Sequence, residues 1–189
     1  MEGTPVTVTS VSEVGPGTVA LELETPDGFD ASPGQFVLLR AKPDDEVITR
    51  HYTLSSPSVD ETFELTVGID PDGDLSPWLA DLEGGETVHV EGPFGQTTYD
   101  GDGDVVAVAG GPGVGPAVAI AEAAQNVGHD AVVIYQDDEP AHAARLEALE
   151  DAGATVTVLD EDADAKLADA IMAHREDGQL YAFGFEDFV

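Results

Sequence analysis

Two short stretches of this chain combine residue types that do chemistry together. The first is Gly110-Gly111-Pro112-Gly113-Val114-Gly115-Pro116. It follows the apolar run Val105-Val106-Ala107-Val108-Ala109 and leads into Ala117-Val118-Ala119-Ile120-Ala121. Backbone without side chains can approach a phosphate closely, and free N–H groups at the positive end of the following helix can hold it. Pro116 suits a first helical turn, where a missing N–H is harmless. The turn is not the G-x-G-x-x-G pattern, because Pro116 stands where the last glycine would follow Gly111 and Gly113. It also lacks the Lys-Ser/Thr of a P-loop. Taken alone, it leaves a plain strand-to-helix turn open.

The second stretch is Arg50-His51-Tyr52-Thr53. Alternation along a strand places Arg50 and Tyr52 on one face and Thr53 on the other or at the strand's end. A guanidinium clamps a phosphate by two parallel hydrogen bonds. A tyrosine ring offers a flat stacking surface, and a threonine hydroxyl can bond a ring nitrogen. The plainer alternative is a surface arginine paired with a carboxylate beside a packed tyrosine. His51, His89, His129, His142 and His174 are scattered without metal-ligand spacing and read as structural or surface residues, so no metal site is expected. With no cysteine, disulfides, thiolate metal sites and cysteine-ligated iron–sulfur clusters are excluded for this chain.

The elements that must position these residues alternate in type. Strands are expected over 4–12, 18–25, 35–41, 49–56, 62–69 and 86–91, separated by Gly- and Pro-rich turns. Ser76-Pro77-Trp78-Leu79 opens a short helix with Ser76 as N-cap. Six short strands at this spacing suggest a closed antiparallel barrel. After the glycine turn, strands over 131–135, 154–159 and 180–183 alternate with helices to about Asn126, over 141–151 and over 163–174. That is repeated βα and a parallel sheet. The expected division is a barrel over 1–99 and an α/β domain over 104–189.

Arg50-x-Tyr52-Thr53, Gly73-x-x-Ser76, Gly92-Pro93-x-Gly95, Gly110-Gly111-x-Gly113-Val114-x-Pro116 and a late Gly184 occur in this order. The set resembles the ferredoxin–NAD(P) reductase family of flavoenzymes over roughly residues 5–189. The resemblance implies FAD on the barrel, with FMN left open, and a nicotinamide nucleotide, NAD(P)H, on the α/β domain. It implies that Arg50 binds the flavin pyrophosphate, Tyr52 stacks on the isoalloxazine and Thr53 bonds near the flavin N5. Tyr52 and Thr53 are then the residues at the reacting atoms. Gly73, Leu75 and Ser76 would offer backbone N–H groups to the flavin phosphates. Gly110, Gly111, Gly113 and Pro116 would cradle the dinucleotide, with Gly184 at the end of the last strand. Gly92-Pro93-Phe94-Gly95 is expected to turn the chain from barrel to linker.

The implied activity is hydride transfer from NAD(P)H to FAD, with electrons passed to a separate carrier such as ferredoxin. Alternatives are the reductase component of an oxygenase complex, or a non-catalytic flavin-binding regulatory subunit. The chain departs from the family twice. Ala182-Phe183-Gly184-Phe185 stands where Cys-Gly-Pro is common, and the chain stops at Val189, where Glu186-Asp187-Phe188 should begin another helix. Leu159-Asp160-Glu161-Asp162 carries acids where many NADP-using relatives have Ser-Arg. Carboxylates repel a 2′-phosphate and accept a bond from a free ribose hydroxyl, so Asp160 favours NADH; Lys166 lies nearby.

The chain carries 39 Asp+Glu against 6 Lys+Arg, a formal net charge of −33. Binding to a nucleic-acid backbone is therefore not expected. There is no apolar run of membrane-spanning length and no visible signal peptide, so a cytoplasmic protein is expected. The acids are spread along the whole chain, and their mutual repulsion weakens the compact state in dilute salt. At about 1 M salt the Debye length falls to roughly 3 Å. This points to a halophile's protein. Circular dichroism across a salt series should show a folded chain in molar salt and unfolding on desalting. Full structure in dilute buffer without a stabiliser would contradict the expectation.

Overall fold

Ten strands and four α-helices make up the computed structural model, which describes residues 1–184. Phe185 and the expected helix start at Glu186-Asp187-Phe188 lie outside the described residues. The first strands are β1 (Thr4–Gly15), β2 (Thr18–Glu24), β3 (Phe36–Ala41), β4 (Ile48–Thr53), β5 (Thr62–Gly68) and, after helix α1 (Ser76–Ala80), β6 (Thr87–Phe94). They form one antiparallel sheet in the order β4-β3-β6-β1-β2-β5. A Leu54–Leu65 bridge and the Ser55 N–H bond to Glu64 O (2.8 Å) join its two ends. Val8, Leu21, Leu23, Leu39, Leu65 and Val88 fill the interior, as strand alternation requires.

Then come β7 (Val105–Gly110), α2 (Val114–Asn126), β8 (Ala131–Gln136), α3 (Ala143–Asp151), β9 (Thr155–Leu159), α4 (Asp164–His174) and β10 (Gln179–Phe183). The second sheet is parallel, in the order β10-β7-β8-β9. Every residue of β7 and β8 is buried, because helices cover both faces. Val105, Ala107 and Ala109 share a core with α2 and α3 residues; Val106 and Val108 share one with α4 residues. The expected fold, an antiparallel barrel followed by a parallel α/β sheet, is borne out. No helix among the described residues is long and apolar enough to cross a membrane.

Two local expectations need correction. Gly92-Pro93-Phe94 does not leave the barrel; it continues β6, with Phe94 opposite Phe36. Phe36 pairs Phe94 and Leu38 pairs Glu91, so one extra residue bulges there, and Gly92 takes the positive φ the bulge uses. Ser76 does not cap α1. Its Oγ accepts the Asp70 N–H (2.9 Å), and Leu75 occupies the cap position without a side-chain bond.

The parallel strand order makes a switch point. From β7 the chain moves outward through β8 and β9, then returns to the other side of β7 as β10. Crevices outside the carboxyl ends of strands at such a point are where α/β sheets bind ligands. The glycine turn after β7 and Phe183-Gly184 at the end of β10 lie at that edge.

A polar seam joins this edge to the barrel. Arg145 on α3 holds Glu122 of α2 through Nε (2.9 Å) and Nη2 (2.7 Å), and reaches across to Glu64 of β5 (3.0 Å) and Ser55 O (2.8 Å). Burial opposes the Arg145 charge, but Glu122 and Glu64 more than offset it and hold the guanidinium ionised. Beside this clamp, Thr66 Oγ1 lies 2.8 Å from both Ser55 Oγ and His142 Nε2. The His142 N–H also donates to Val14 O of β1 (2.8 Å). His142 is 4% exposed, and burial drives its pKa down to about 4, with Arg145 adding to the shift.

A base held neutral by burial leaves the unfolded chain binding more protons between the two pKa values. The His142 contribution is therefore complete above its ordinary value of 6.5 and is lost as pH falls from there toward 4. Glu64 shifts upward, burial outweighing Arg145, and works in the opposite sense just above its ordinary 4.5. In molar salt, denaturant midpoints should show the wild type losing about 1 kcal/mol more than His142→Asn from pH 6.5 to 5.5. Parallel pH profiles would show that His142 is not held neutral.

Candidate functional site: a cleft between the barrel and the parallel sheet

A cleft of about 590 Å³ opens where the two sheets meet. Its barrel wall is Arg50, His51, Tyr52 and Thr53 of β4, with Thr66 and Gly68 of β5 below. The loop from Asp70 to Ser76 closes one side. The opposite wall is Pro112, Gly113 and Pro116 at the start of α2, and Ala182, Phe183 and Gly184 at the end of β10.

β4 presents more to the cleft than alternation alone suggests, since all four of its terminal residues line the space. Tyr52 is half-buried against the barrel core, and burial pushes its hydroxyl up to about 12, slightly countered by Arg50. It is therefore a neutral ring and a hydrogen-bond donor at physiological pH. Arg50 is exposed, and its Nη1 donates only to the neighbouring Thr49 O (3.0 Å). Among the described residues it has no carboxylate partner, in a chain rich in acids. That leaves a full guanidinium free at the cleft wall. The His51 ring tilts against Phe36 at 5.4 Å, so it packs as well as lining the cleft.

The glycine turn is a short 3₁₀ segment, Gly111–Gly113, running straight into α2. Gly111 sits at φ +52°, in the left-handed region that favours glycine. A Cβ on Gly113 would strike the Phe183 carbonyl, so only glycine lets α2 begin against the end of β10. Gly115 is tighter still: a Cβ there would collide with Thr66 Oγ1 and Ser55 Oγ. A Cβ on Gly68 would meet the Pro112 ring. Glycines on both sides thus bring the start of α2 directly onto β5. Pro116 lies in the first turn of α2, as expected.

Of the residues singled out in sequence, Arg50, Tyr52, Thr53, Gly73, Leu75, Ser76, Gly113, Pro116 and Gly184 line this one cleft. Gly110 and Gly111 do not line it; Gly110 ends β7 and Gly111 opens the turn. Gly73 departs from its expected part: its N–H is bonded to Asp70 O (2.9 Å), so it supplies a turn, not a free donor. Asp160 lies outside the cleft wall. It follows β9, two strands from β7 on the same carboxyl edge, and is exposed. Its loop is held by Gln136, whose Nε2 donates to Glu161 O (2.8 Å) and Asp160 O (3.3 Å). Thr66, Gly68, Pro112 and His142 were not singled out as site residues. Gly68 and Pro112 were not told apart from ordinary turn and strand residues.

The residues present suit a flavin nucleotide. An unpaired guanidinium, a neutral aromatic ring and a threonine share one wall, and a glycine-rich turn at a helix N-terminus faces them. Comparison with known proteins agrees. The family model described as the oxidoreductase FAD-binding domain matches residues 5–99. The glycine betaine monooxygenase reductase subunit of Chromohalobacter salexigens is 40% identical over 104 residues, 52% of this chain and 28% of that protein. The ferredoxin reductase component of 3-ketosteroid-9-alpha-monooxygenase from Mycolicibacterium smegmatis is 39% identical over 113 residues, 57% of this chain and 32% of that one. The chain thus spans about a third of the length of these relatives. A ferredoxin NADP+ reductase from Neisseria gonorrhoeae, solved with FAD and NADP, shares the fold at a TM-score of 0.76. The two are 17% identical, over 97% of this chain and 86% of that one. With half of its length matched, on the very strands that build the cleft's first wall, this chain belongs to the oxidoreductase FAD-binding domain family.

Proposed function

We propose that this chain passes hydride from a nicotinamide nucleotide to FAD and hands electrons to a separate carrier protein. The observation that carries the reading is a single cleft with a β4 wall on one side and the glycine turn on the other. In this reading residues 1–99 hold the flavin and residues 104–189 the nicotinamide nucleotide. A bound flavin supplies the two-electron and one-electron chemistry; the chain's residues bind, orient and exclude water. Arg50 neutralises the pyrophosphate. Tyr52 offers its ring for stacking, kept neutral by burial. The Thr53 hydroxyl bonds the edge of the ring system. Leu75 and Ser76 place backbone beside the phosphates. Gly113 and Pro116 leave the start of α2 open to the second nucleotide's phosphates.

NADH is the favoured donor. Asp160, Glu161 and Asp162 stand at the carboxyl edge of the sheet, and the Gln136 bonds keep that loop in place. The carboxylates disfavour a 2′-phosphate there. The carrier is a ferredoxin or an oxygenase component; the names of the two curated relatives favour the latter.

The reading is tested by reconstituting the purified chain with FAD in molar salt and adding NADH without oxygen. The chain should turn yellow and bleach, and NADPH should act more slowly. Arg50→Ala should weaken FAD retention about tenfold, the usual loss of a charge-assisted phosphate contact. A chain that takes up no flavin, or a flavin that no nicotinamide reduces, would contradict the proposal.

A further inference from the structure

We infer that His142, which lies outside the cleft, is a positioning residue for hydride transfer. Through Thr66 it holds the glycine turn and the Tyr52–Thr53 wall at one separation. The inference rests on the two-cofactor reading above.

Thr66 belongs to two structures at once. It lines the cleft, and its hydroxyl lies between Ser55 Oγ and His142 Nε2, 2.8 Å from each. Ser55 Oγ also accepts the Thr66 N–H (3.0 Å). Ser55 stands two residues beyond Thr53, so the same hydroxyl pair anchors the end of the β4 wall. The start of α2 rests on these two hydroxyls, because a Cβ on Gly115 would collide with both. Four pieces of chain therefore converge here: the end of β4, β5, the first turn of α2 and the start of α3.

His142 is held in this junction against its backbone preference. It sits at φ +55°, in the left-handed region that non-glycine residues seldom adopt. Glycine takes that conformation most easily, and asparagine and histidine both tolerate it better than most residues. A histidine is used instead, and its side chain spans from α3 to β5. Apolar packing alone is non-directional and permits sliding. The hydrogen bond between the His142 ring and the Thr66 hydroxyl fixes direction as well as distance, and the backbone N–H of His142, bonded to Val14 O, anchors the ring's own starting point. Hydride transfer requires that accuracy, since a misplacement of about 1 Å can slow a reaction about 100-fold.

His142→Asn tolerates the backbone but is too short to reach Thr66. Thr66→Val keeps the shape and removes the hydroxyl. In molar salt His142→Asn should bind FAD within about threefold of wild type, and in both variants anaerobic flavin reduction by NADH should slow at least tenfold with a smaller change in KM. His142→Gln, which restores reach, should recover part of the rate. The double variant should be no slower than the worse single one. Amide hydrogen exchange of the flavin-free chain supplies an independent readout. The β5 strand and the first turn of α2 should exchange faster in both variants. Wild-type reduction rates in both variants would overturn the inference. So would a loss of FAD affinity that accounts for the whole effect, which marks a purely structural role. If the wild type itself is not reduced by a nicotinamide, the two-cofactor reading fails, and this inference with it. That failure is recognisable because it precedes any variant.

Discussion

The structure depends on how closely the first turn of α2 approaches strand β5. Gly115 rests on the hydroxyls of Ser55 and Thr66, Pro112 fills the space over Gly68, and Gly113 lies under the carbonyl of Phe183. In each case a methyl group would force something to move. The approach converts two separate folding units into one cleft, since the start of α2 and the end of β4 become its facing walls. Without it, the barrel would present Tyr52 and Arg50 to open solvent.

Beside the packing of Pro112 on Gly68, much of the contact is polar. The Arg145 clamp and the Ser55–Thr66–His142 set put charges and hydroxyls at the junction. Such groups are poor sources of net stability, because desolvation offsets most of their attraction. Their advantage is geometric: each bond has one direction and one length. The same trade appears at His142, where an unfavourable backbone conformation is accepted to obtain a side-chain reach. In a chain of net charge −33, these partly buried pairs are screened by salt less than exposed ones.

Much of this was readable from residue order. The apolar run of β7, the glycine cluster and the small-residue start of α2 announced strand, turn and helix because each signal is local. Arg50 and Tyr52 were readable for the same reason. What escaped was context. Gly92-Pro93 looks like the end of a strand and is a bulge within one, because β3 continues to pair beyond it. Gly73 suggests a free donor, yet its N–H closes a turn on Asp70. His142 looked like one of five scattered histidines. Its partner Thr66 is 76 residues away in sequence, and no local pattern signals such a bond. Arg145 is similar, joining a carboxylate 81 residues distant.

The most direct test of the account is Gly115→Ala, read by the long-wavelength charge-transfer absorbance that forms when a nicotinamide ring lies on a flavin. The added methyl should push α2 away from Ser55 and Thr66, so the band should weaken strongly while flavin stays bound to the barrel. An undiminished band in Gly115→Ala would show that the two walls do not owe their spacing to this contact.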